Sequence, residues 1–387
     1  MTFDPSMPSL ISSQPDAQNK SPRILVLRAG AIGDTLMVTP LLRALRRTFP
    51  EAYLAFVCSQ TVQEVLRSNP HLDRVMPLAY RHLPSWLSGE KRRLVREMRE
   101  LNLDWAIVLE GHPQFVELAL QARPKRLIAY GPVPSGDGFT RAVFDPQRHS
   151  IDNYLSAAEP LGVRPAGREM ELPYPAEMDE AVRQRLANYG VGEADCVVGI
   201  HPGWGGRKHP IDQTRLRSWP AERFAQVVGW LVKTEGVRVA LTGSAADRPL
   251  TEYIAREAGV ACLNLAGEFS LLELAALIRR FDLYLTVDSG PAHMAAALGT
   301  PLVTLWGPGI YAQTSPQAGA SPVRIIDRRV HCAPCYGTPL MKTCKDNICM
   351  KQIEVEEVTK ALASKLDKAP AREGKAIQPQ SGLRPPA

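Results

Sequence analysis

Residues 284–309 constrain the fold more than any other stretch of this chain. An apolar run at 284–287 leads into Asp-Ser-Gly-Pro-Ala-His at 288–293, and an Ala-rich segment follows. A Gly-Thr-Pro turn at 299–301 ends that segment before a second apolar run at 302–305. Since Pro favours the first turn of a helix and Gly its end, the pattern predicts a strand–helix–strand unit. Such units build parallel sheets whose carboxyl edge binds ligands, and the helix start offers free N–H groups for phosphate.

Short apolar runs alternate with amphipathic segments along most of the chain, which has 387 residues. This alternation predicts parallel sheets covered by helices, and residues 173–175 divide it into two series. We therefore predict two doubly wound α/β domains, residues 23–172 and 176–366, with a cleft between them. Residues 1–22 and 367–387 are polar and rich in Pro or Ser, so we predict that both segments are disordered.

The overall charge and hydropathy exclude several classes of protein. The net charge is only +6, and basic residues are not interleaved with aromatic ones, so we expect no nucleic-acid partner. No apolar run reaches the length of about 18 residues that a transmembrane helix needs, and the amino terminus lacks a secretory signal. Seven cysteines, three of them isolated, do not indicate a disulfide scaffold. We predict a cytoplasmic location and an anionic substrate.

The segment Gly30-Ala-Ile-Gly33-Asp34-Thr35 lies between a strand predicted at 24–27 and a helix predicted over about 36–48. Its glycines permit a tight turn and the close approach of a ligand. The spacing matches neither the dinucleotide fingerprint nor the phosphate loop. Asp34 therefore has two alternative roles, as a helix cap or as a general base that faces the cleft. The roles compete, because a carboxylate bound at a helix start is a weaker base.

Polar or glycine residues follow successive strands of the second series, where the carboxyl ends of parallel strands meet. These residues are His201, Gly203, Thr242, Gly243 and Asn264. The glycine-rich loop after His201 contains Arg207 and Lys208, and it is either a phosphate-binding loop or an ordinary polar loop. Arg217 either pairs with a diphosphate or is a solvated surface charge. The common position of these residues favours a nucleotide-binding edge.

Four cysteines near the carboxyl terminus, Cys332, Cys335, Cys344 and Cys349, are close enough in sequence to form a structural zinc site. The second pair does not have the Cys-x2-Cys spacing of the first. We therefore favour local packing or redox-labile pairing over zinc, and we assign no metal to the functional site.

A basic helix is predicted over 90–101, directly after Trp86 and Leu87. Its basic residues are Lys91, Arg92, Arg93, Arg96 and Arg99. Most basic helices are solvated faces, whereas a basic surface with a neighbouring aromatic residue also suits an anionic membrane. Both interpretations stay open at this point.

The motif at 27–40, Leu-Arg-Ala-Gly-Ala-Ile-Gly-Asp-Thr-Leu-Met-Val-Thr-Pro, resembles the amino-terminal motif of bacterial glycosyltransferase family 9. This is the family of ADP-heptose:lipopolysaccharide heptosyltransferases. Motifs of the second half agree in type and order: His-Pro-Gly at 201–203, Arg-Ser-Trp-Pro at 217–220, Leu-Thr-Gly-Ser at 241–244, Asn-Leu-Ala-Gly at 264–267, Asp-Ser-Gly-Pro-Ala-His at 288–293 and the cysteine run at 332–350. The resemblance covers residues 23–360.

The resemblance implies the GT-B fold, in which the first domain binds the acceptor and the second the nucleotide sugar. It also implies an inverting transfer that needs no metal or other cofactor, with Asp34 as the catalytic base. Around this base we place an acceptor side formed by Gly30, Gly33, Thr35 and Glu110. The resemblance places Asp288 at the donor sugar and Ser289, Gly290 and His293 at the diphosphate. To this donor side we add Arg217, His201, Gly203, Thr242, Gly243 and Asn264.

The implied donor is ADP-heptose, and the implied acceptor is the lipopolysaccharide inner core, lipid A–Kdo or its heptose. The enzyme would be a monomer in peripheral contact with the cytoplasmic face of the inner membrane. Two features depart from the family pattern, the insertion at 204–216 and an Arg at position 217 where relatives usually carry Lys. Three alternatives stay open: transfer of another sugar, a nucleotide-sugar epimerase, and a non-catalytic protein that binds nucleotide sugars.

Overall fold

Apolar runs of four or five residues form the central strands of two sheets, and amphipathic helices cover both faces of each sheet. The computed structural model describes residues 21–79, 83, 87–203, 216–317 and 322–367. Both sheets have six parallel strands, and each is doubly wound. The predicted fold class is therefore confirmed.

The first sheet has its earliest strand in the middle. Its strands are β1 (Arg23–Leu27), β2 (Tyr53–Ser59), β3 (Arg74–Leu78), β4 (Trp105–Val108), β5 (Arg126–Ala129) and β6 (Phe139–Arg141). They lie in the order β3-β2-β1-β4-β5-β6, and Ile24 pairs with Leu54 on one side and with Trp105 on the other. The chain moves outward from β1, then returns to β4, so the winding direction reverses between β1 and β4.

The helices of the first sheet include one correction to the sequence prediction. They are α1 (Ile32–Leu36), α2 (Thr39–Thr48), α3 (Gln63–Arg67), α4 (Gly89–Glu100), α5 (Pro113–Gln121) and α6 (Ser150–Ala157). The single helix predicted over about 36–48 is wrong, because Pro40 has no N–H to donate to the carbonyl of Leu36. The Thr39 hydroxyl donates to that carbonyl instead, at 2.7 Å, between α1 and α2.

The second sheet repeats this topology. Its strands are β7 (Val197–His201), β8 (Arg238–Leu241), β9 (Leu263–Asn264), β10 (Leu283–Val287), β11 (Leu302–Trp306) and β12 (Val323–Asp327), in the order β12-β11-β10-β7-β8-β9. Its helices are α7 (Glu177–Asn188), α8 (Ala221–Thr234), α9 (Arg248–Ala258), α10 (Leu271–Arg280), α11 (Gly290–Leu298), α12 (Tyr311–Thr314), α13 (Pro339–Thr343), α14 (Ile348–Lys351) and α15 (Val355–Leu366). The winding direction reverses between β7 and β10.

Residues 1–20 and 368–387, which make up most of the two segments predicted to be disordered, lie outside the described residues. Pro22, within the first of those segments, is buried, and its carbonyl accepts a 3.0 Å hydrogen bond from the Tyr53 N–H. None of the helices within the described ranges has the length and apolar character needed to cross a membrane.

The two sheets meet through the short helix α1 and the start of α11. Ile32 of α1 packs against Gly290, and a Cβ atom at Gly33 would lie 2.6 Å from Cδ2 of His293. A second contact lies nearby, where His149 Nε2 is 2.9 Å from the carbonyl oxygen of Ser315. These contacts bring the carboxyl edge of one sheet against that of the other.

Candidate active site

The candidate site forms where the reversal points of the two sheets face each other. Asp34 follows β1 and Glu110 follows β4, so both belong to the reversal point of the first sheet. His201 ends β7 and Asp288 follows β10, so they occupy the same position in the second sheet. Ligands of doubly wound sheets bind at these crevices. The structure thus brings together predicted residues that are far apart in sequence.

Arg28 links the two acidic residues of the first sheet. Its Nη2 lies 2.7 Å from Asp34 Oδ1, and its Nη1 lies 2.8 Å from Glu110 Oε2. Glu110 also accepts a 2.9 Å hydrogen bond from the Ala29 N–H, which fixes the position of the Glu110 carboxylate. Glu110 therefore orients Arg28, and Arg28 orients Asp34. Sequence reasoning missed this role of Arg28, although the residue lies within the recognised motif.

Asp34 caps α1, one of the two roles that the sequence left open, and its carboxylate stays accessible, as the other role, that of a general base, requires. As a cap, its Oδ2 accepts a 2.9 Å hydrogen bond from the Ala31 N–H at the start of α1. Burial alone would raise the pKa of Asp34, but the charge of Arg28 and these hydrogen bonds outweigh burial and lower it below its usual value. The side chain is 30% exposed. Asp34 is therefore an ionised carboxylate at neutral pH that a ligand can still reach.

Asp288 is the facing carboxylate of the second sheet, and it is buried. Its burial raises the pKa, the nearby charge of Asp34 raises it further, and the charge of Arg217 opposes both effects. Arg217 Nη1 lies 3.4 Å from Asp288 Oδ2 and 3.3 Å from the Asp288 carbonyl oxygen. Arg217 is thus a cation inside the cleft, and the interpretation as a solvated surface charge is wrong.

His293 lies on the first turn of α11 and faces the first sheet. The ring packs on Gly33, and Asp34 is close enough to influence its titration. Burial nevertheless lowers the pKa of His293 to about 4, so the ring is neutral at physiological pH. Within the described part of the chain, its Nδ1 has no hydrogen-bond partner. A neutral imidazole with an open nitrogen suits contact with a polar ligand.

His201 is the last member of a buried series of hydrogen-bonded polar side chains. The Tyr284 hydroxyl lies 2.9 Å from Thr242 Oγ1, which lies 3.1 Å from His201 Nδ1. Burial lowers the pKa of His201 to about 4, and the charge of Asp247 opposes that effect. Asp247 also packs against the glycine loops, since a Cβ at Gly203 would lie 2.4 Å from its Oδ1. Asp247 is a second residue that sequence reasoning missed.

The remaining predicted residues differ in their access to the cleft. Ser289 Oγ lies 3.1 Å from Thr286 Oγ1 at the start of α11, directly beside Gly290. The Gly30 carbonyl accepts a 2.8 Å hydrogen bond from the Ser59 hydroxyl. Thr35 is fully buried in α1.

The other two predicted donor residues, Gly243 and Asn264, lie farther out along the edge of the second sheet. Gly243 follows β8 and packs against Asp247. Asn264 ends β9, the outermost strand, and its Oδ1 accepts a 3.3 Å hydrogen bond from the Ala266 N–H. Arg207 and Lys208 lie outside the described residues.

The cysteines form no disulfide bond, and Cys335 and Cys349 are buried. Cys335 packs with Leu216 and Met341, and Cys349 belongs to the apolar core of the second sheet. Among the residues that the structure describes, no group of three or more His, Cys, Asp or Glu side chains is placed to hold a metal ion. Burial raises the pKa of the Cys335 and Cys349 thiols, and the neighbouring thiols of the segment, Cys332 and Cys344, raise it further.

The buried histidines His201 and His293 predict a loss of stability in acid. In the folded state their pKa values are about 4, below the unfolded value of about 6.5. Their contribution is therefore present above about pH 6.5 and is lost as the pH falls toward 4, because the unfolded chain then binds more protons. We expect each histidine to cost about 2 kcal/mol of unfolding free energy between pH 8 and pH 5.

Denaturant unfolding at several pH values measures this slope. His201→Gln and His293→Gln each flatten the slope, whereas replacement of the exposed His331 by Gln leaves it unchanged. If either His201→Gln or His293→Gln kept the wild-type dependence of the unfolding free energy on pH, the lowered pKa assigned to that histidine would be contradicted.

Comparisons with known proteins agree with this geometry. A family model described as glycosyltransferase family 9 (heptosyltransferase) matches residues 92–340. Lipopolysaccharide heptosyltransferase 3 of Escherichia coli K12 is 27% identical over 284 residues, which are 71% of this chain and 79% of that protein. The structure of a family 9 glycosyltransferase from Veillonella parvula has a TM-score of 0.76 at 23% identity and covers 90% of this chain and 98% of its own. The structure of the E. coli ADP-heptose lps heptosyltransferase II has a TM-score of 0.69 at 23% identity. The match covers 89% of this chain and 99% of that chain. The fold is GT-B, as the resemblance implied.

Proposed function

Because the chain belongs to glycosyltransferase family 9, the heptosyltransferases, we propose that it transfers a heptose from ADP-heptose to the lipopolysaccharide inner core. The acceptor is lipid A–Kdo or its first heptose. The observation that carries the proposal is the pair of carboxylates, Asp34 and Asp288, that follow the central strands of the two facing sheets. In this proposal the domain of residues 23–172 binds the acceptor, and that of residues 176–366 binds the donor.

The proposed reaction is one direct displacement. The acceptor hydroxyl loses its proton to Asp34 as its oxygen attacks the anomeric carbon of the heptose. The bond from that carbon to the phosphate oxygen breaks, and ADP leaves with the electron pair, so the configuration inverts. Since Arg28 holds Asp34 ionised, the proton transfers as the hydroxyl becomes acidic during the attack. Asp288 binds hydroxyl groups of the donor sugar.

The second domain offers positive charge for the leaving group. Arg217 lies beside Asp288, and the Gly290 N–H lies at the start of α11, a nine-residue helix whose second residue, Pro291, has no N–H to donate. Arginine binds phosphate oxygens through two donors, and a helix start carries partial positive charge. These groups support a transfer that needs no metal ion, in which the diphosphate lies against Ser289, Gly290 and His293.

Purified protein supplied with ADP-heptose and a lipid A–Kdo or heptosylated core acceptor tests the proposal. We expect ADP release that depends on the acceptor and continues in excess EDTA. A product of opposite anomeric configuration to the donor supports inversion. Absence of ADP release with all these acceptors would overturn the heptose proposal, and release only with another nucleotide sugar would favour the alternative donor. Loss of activity in EDTA would overturn the metal-independent mechanism.

Membership of this family makes the chain a glycosyltransferase rather than an epimerase or a binding protein. We further propose that it works as a cytoplasmic monomer on the inner membrane. On the solvent side of α4, four arginines form the basic stripe Arg92, Arg93, Arg96 and Arg99. Leu83 and Leu87 precede α4 and are 42% and 57% exposed. Basic and apolar groups side by side suit an anionic lipid surface.

The basic stripe predicts binding to anionic vesicles. Each arginine near such a surface contributes about 1 kcal/mol, so we expect the double variant Arg93→Gln with Arg96→Gln to bind about 30-fold more weakly. Sedimentation with phosphatidylglycerol vesicles at low salt measures this, with phosphatidylcholine vesicles as the reference. Arg238→Gln with Arg256→Gln removes two exposed charges from the second domain and serves as the control. Equal binding of both double variants would exclude the basic stripe as the contact.

A further inference from the structure

The cysteine-rich segment, residues 332–349, is attached to the loop that follows β11. The backbone N–H groups of Cys335 and Tyr336 both donate to the Pro308 carbonyl, at 3.1 and 2.9 Å. Gly307 packs against Cys349, the far end of the segment, and against the adjoining Met350. The segment is therefore fixed at both ends to the carboxyl edge of the second sheet.

The same segment holds the backbone around Arg217. Asn347 Nδ2 donates to the Ser218 carbonyl at 2.8 Å and lies 3.5 Å from the Leu216 carbonyl oxygen. The Leu216 side chain is buried against Cys335 and Met341. Both neighbours of Arg217 are thus held by residues of the cysteine-rich segment.

The side chain of Arg217 is held as well. Its guanidinium carbon lies 4.3 Å from the centroid of the Tyr336 ring, and Nη1 lies 3.4 Å from Asp288 Oδ2. Stacking on an aromatic ring restricts the plane of a guanidinium and adds cation–π attraction. The guanidinium group of Arg217 is therefore held by two contacts, one with the Tyr336 ring and one with the Asp288 carboxylate.

We propose that the cysteine-rich segment is the scaffold that positions Arg217 for the donor diphosphate, with Tyr336 as the positioning residue that orients its guanidinium. This inference rests on the proposed function, because it assumes that Arg217 binds the donor. The contacts of the segment with the backbone fix the position of Arg217. The Tyr336 ring fixes the orientation of the two guanidinium N–H donors of Arg217 that bind phosphate. Tyr336 itself takes no part in the chemistry.

Donor kinetics and ADP binding of matched variants test the inference. Since the Tyr336 ring is 46% exposed, we expect Tyr336→Ala to raise the donor KM and the Kd of ADP by about 2- to 5-fold, the range of a cation–π contact at an exposed site. Acceptor KM and the melting temperature stay near their wild-type values. Tyr336→Phe keeps the ring and stays within about twofold of wild type. Tyr253→Ala is the control, since Tyr253 stacks on Arg256 at 5.2 Å on α9, away from the cleft.

A double variant at Tyr336 and Arg217 distinguishes a positioning role of Tyr336 from a purely structural one. In an Arg217→Gln background we expect Tyr336→Ala to have no further effect, because the group that it orients is gone. Additive losses in that background, or a wild-type ADP affinity in folded Tyr336→Ala, would overturn the inference. If Tyr336→Ala does not fold, Tyr336→Leu takes its place with the same expected outcomes. A wild-type protein that binds ADP but transfers no heptose would refute the proposed function while leaving this inference testable by ADP binding.

Discussion

Asp34→Asn lowers kcat by about 10²- to 10⁴-fold, the range for removal of a general base, and this is the largest effect that we expect. The amide keeps the size of the side chain and can still accept from the Ala31 N–H, so α1 keeps its first turn. It cannot take the proton of an acceptor hydroxyl. Steady-state kinetics with saturating donor and acceptor measure the loss, and donor KM stays near its wild-type value.

Asp152→Asn is the matched control for this prediction. Asp152 also pairs with an arginine, with 2.8 Å between its Oδ2 and Arg168 Nη2, but it lies on α6 in a surface ion pair. Such pairs contribute about 0–1 kcal/mol to stability. A kcat for Asp34→Asn equal to that of Asp152→Asn would remove Asp34 from the role of base and leave it only the helix cap.

Gly33→Ala has the second largest expected effect. The added methyl carbon would lie 2.6 Å from Cδ2 and 2.9 Å from Nε2 of His293. Contact between the two domains at this point requires the absence of a side chain, so α1 and α11 must move apart. A displacement of about 1 Å between reacting groups costs about 10²-fold in rate, and we expect a loss of at least that size.

Gly192→Ala serves as the control for the glycine substitution. Its methyl group would meet only Asp195 Oδ2, at 3.8 Å, an ordinary contact on a surface turn. We expect wild-type turnover for this control. For Gly33→Ala, a small shift of the melting temperature with lost turnover indicates domain displacement. Wild-type turnover of Gly33→Ala would show that the approach of His293 to α1 is not needed for the reaction.

Local sequence patterns predicted most of the elements, because burial on both faces produces the same short apolar run in every central strand. The apolar runs at 284–287 and 302–305 lie within β10 and β11 as predicted. The strands β6 and β12 and the helix α5 were not predicted. β6 and β12 lie at sheet edges and are only partly buried, so they lack a continuous apolar run. The division between α1 and α2 depends on the missing N–H of Pro40. Pro40 is visible in the sequence, and it would have predicted a break in the helix over 36–48.

The sequence by itself determined the fold class, the family resemblance and the acids Asp34 and Asp288, since these depend on residue types at short spacing. Only the tertiary structure decided how these acids are held. Arg28 pairs with Glu110, which follows a different strand, and Tyr336 contacts Arg217 from a segment more than a hundred residues away. Contacts between distant segments depend on strand order and on the packing of the two sheets. No local spacing encodes them, which is why Arg28, Asp247 and the role of the cysteine-rich segment emerged only from the folded chain.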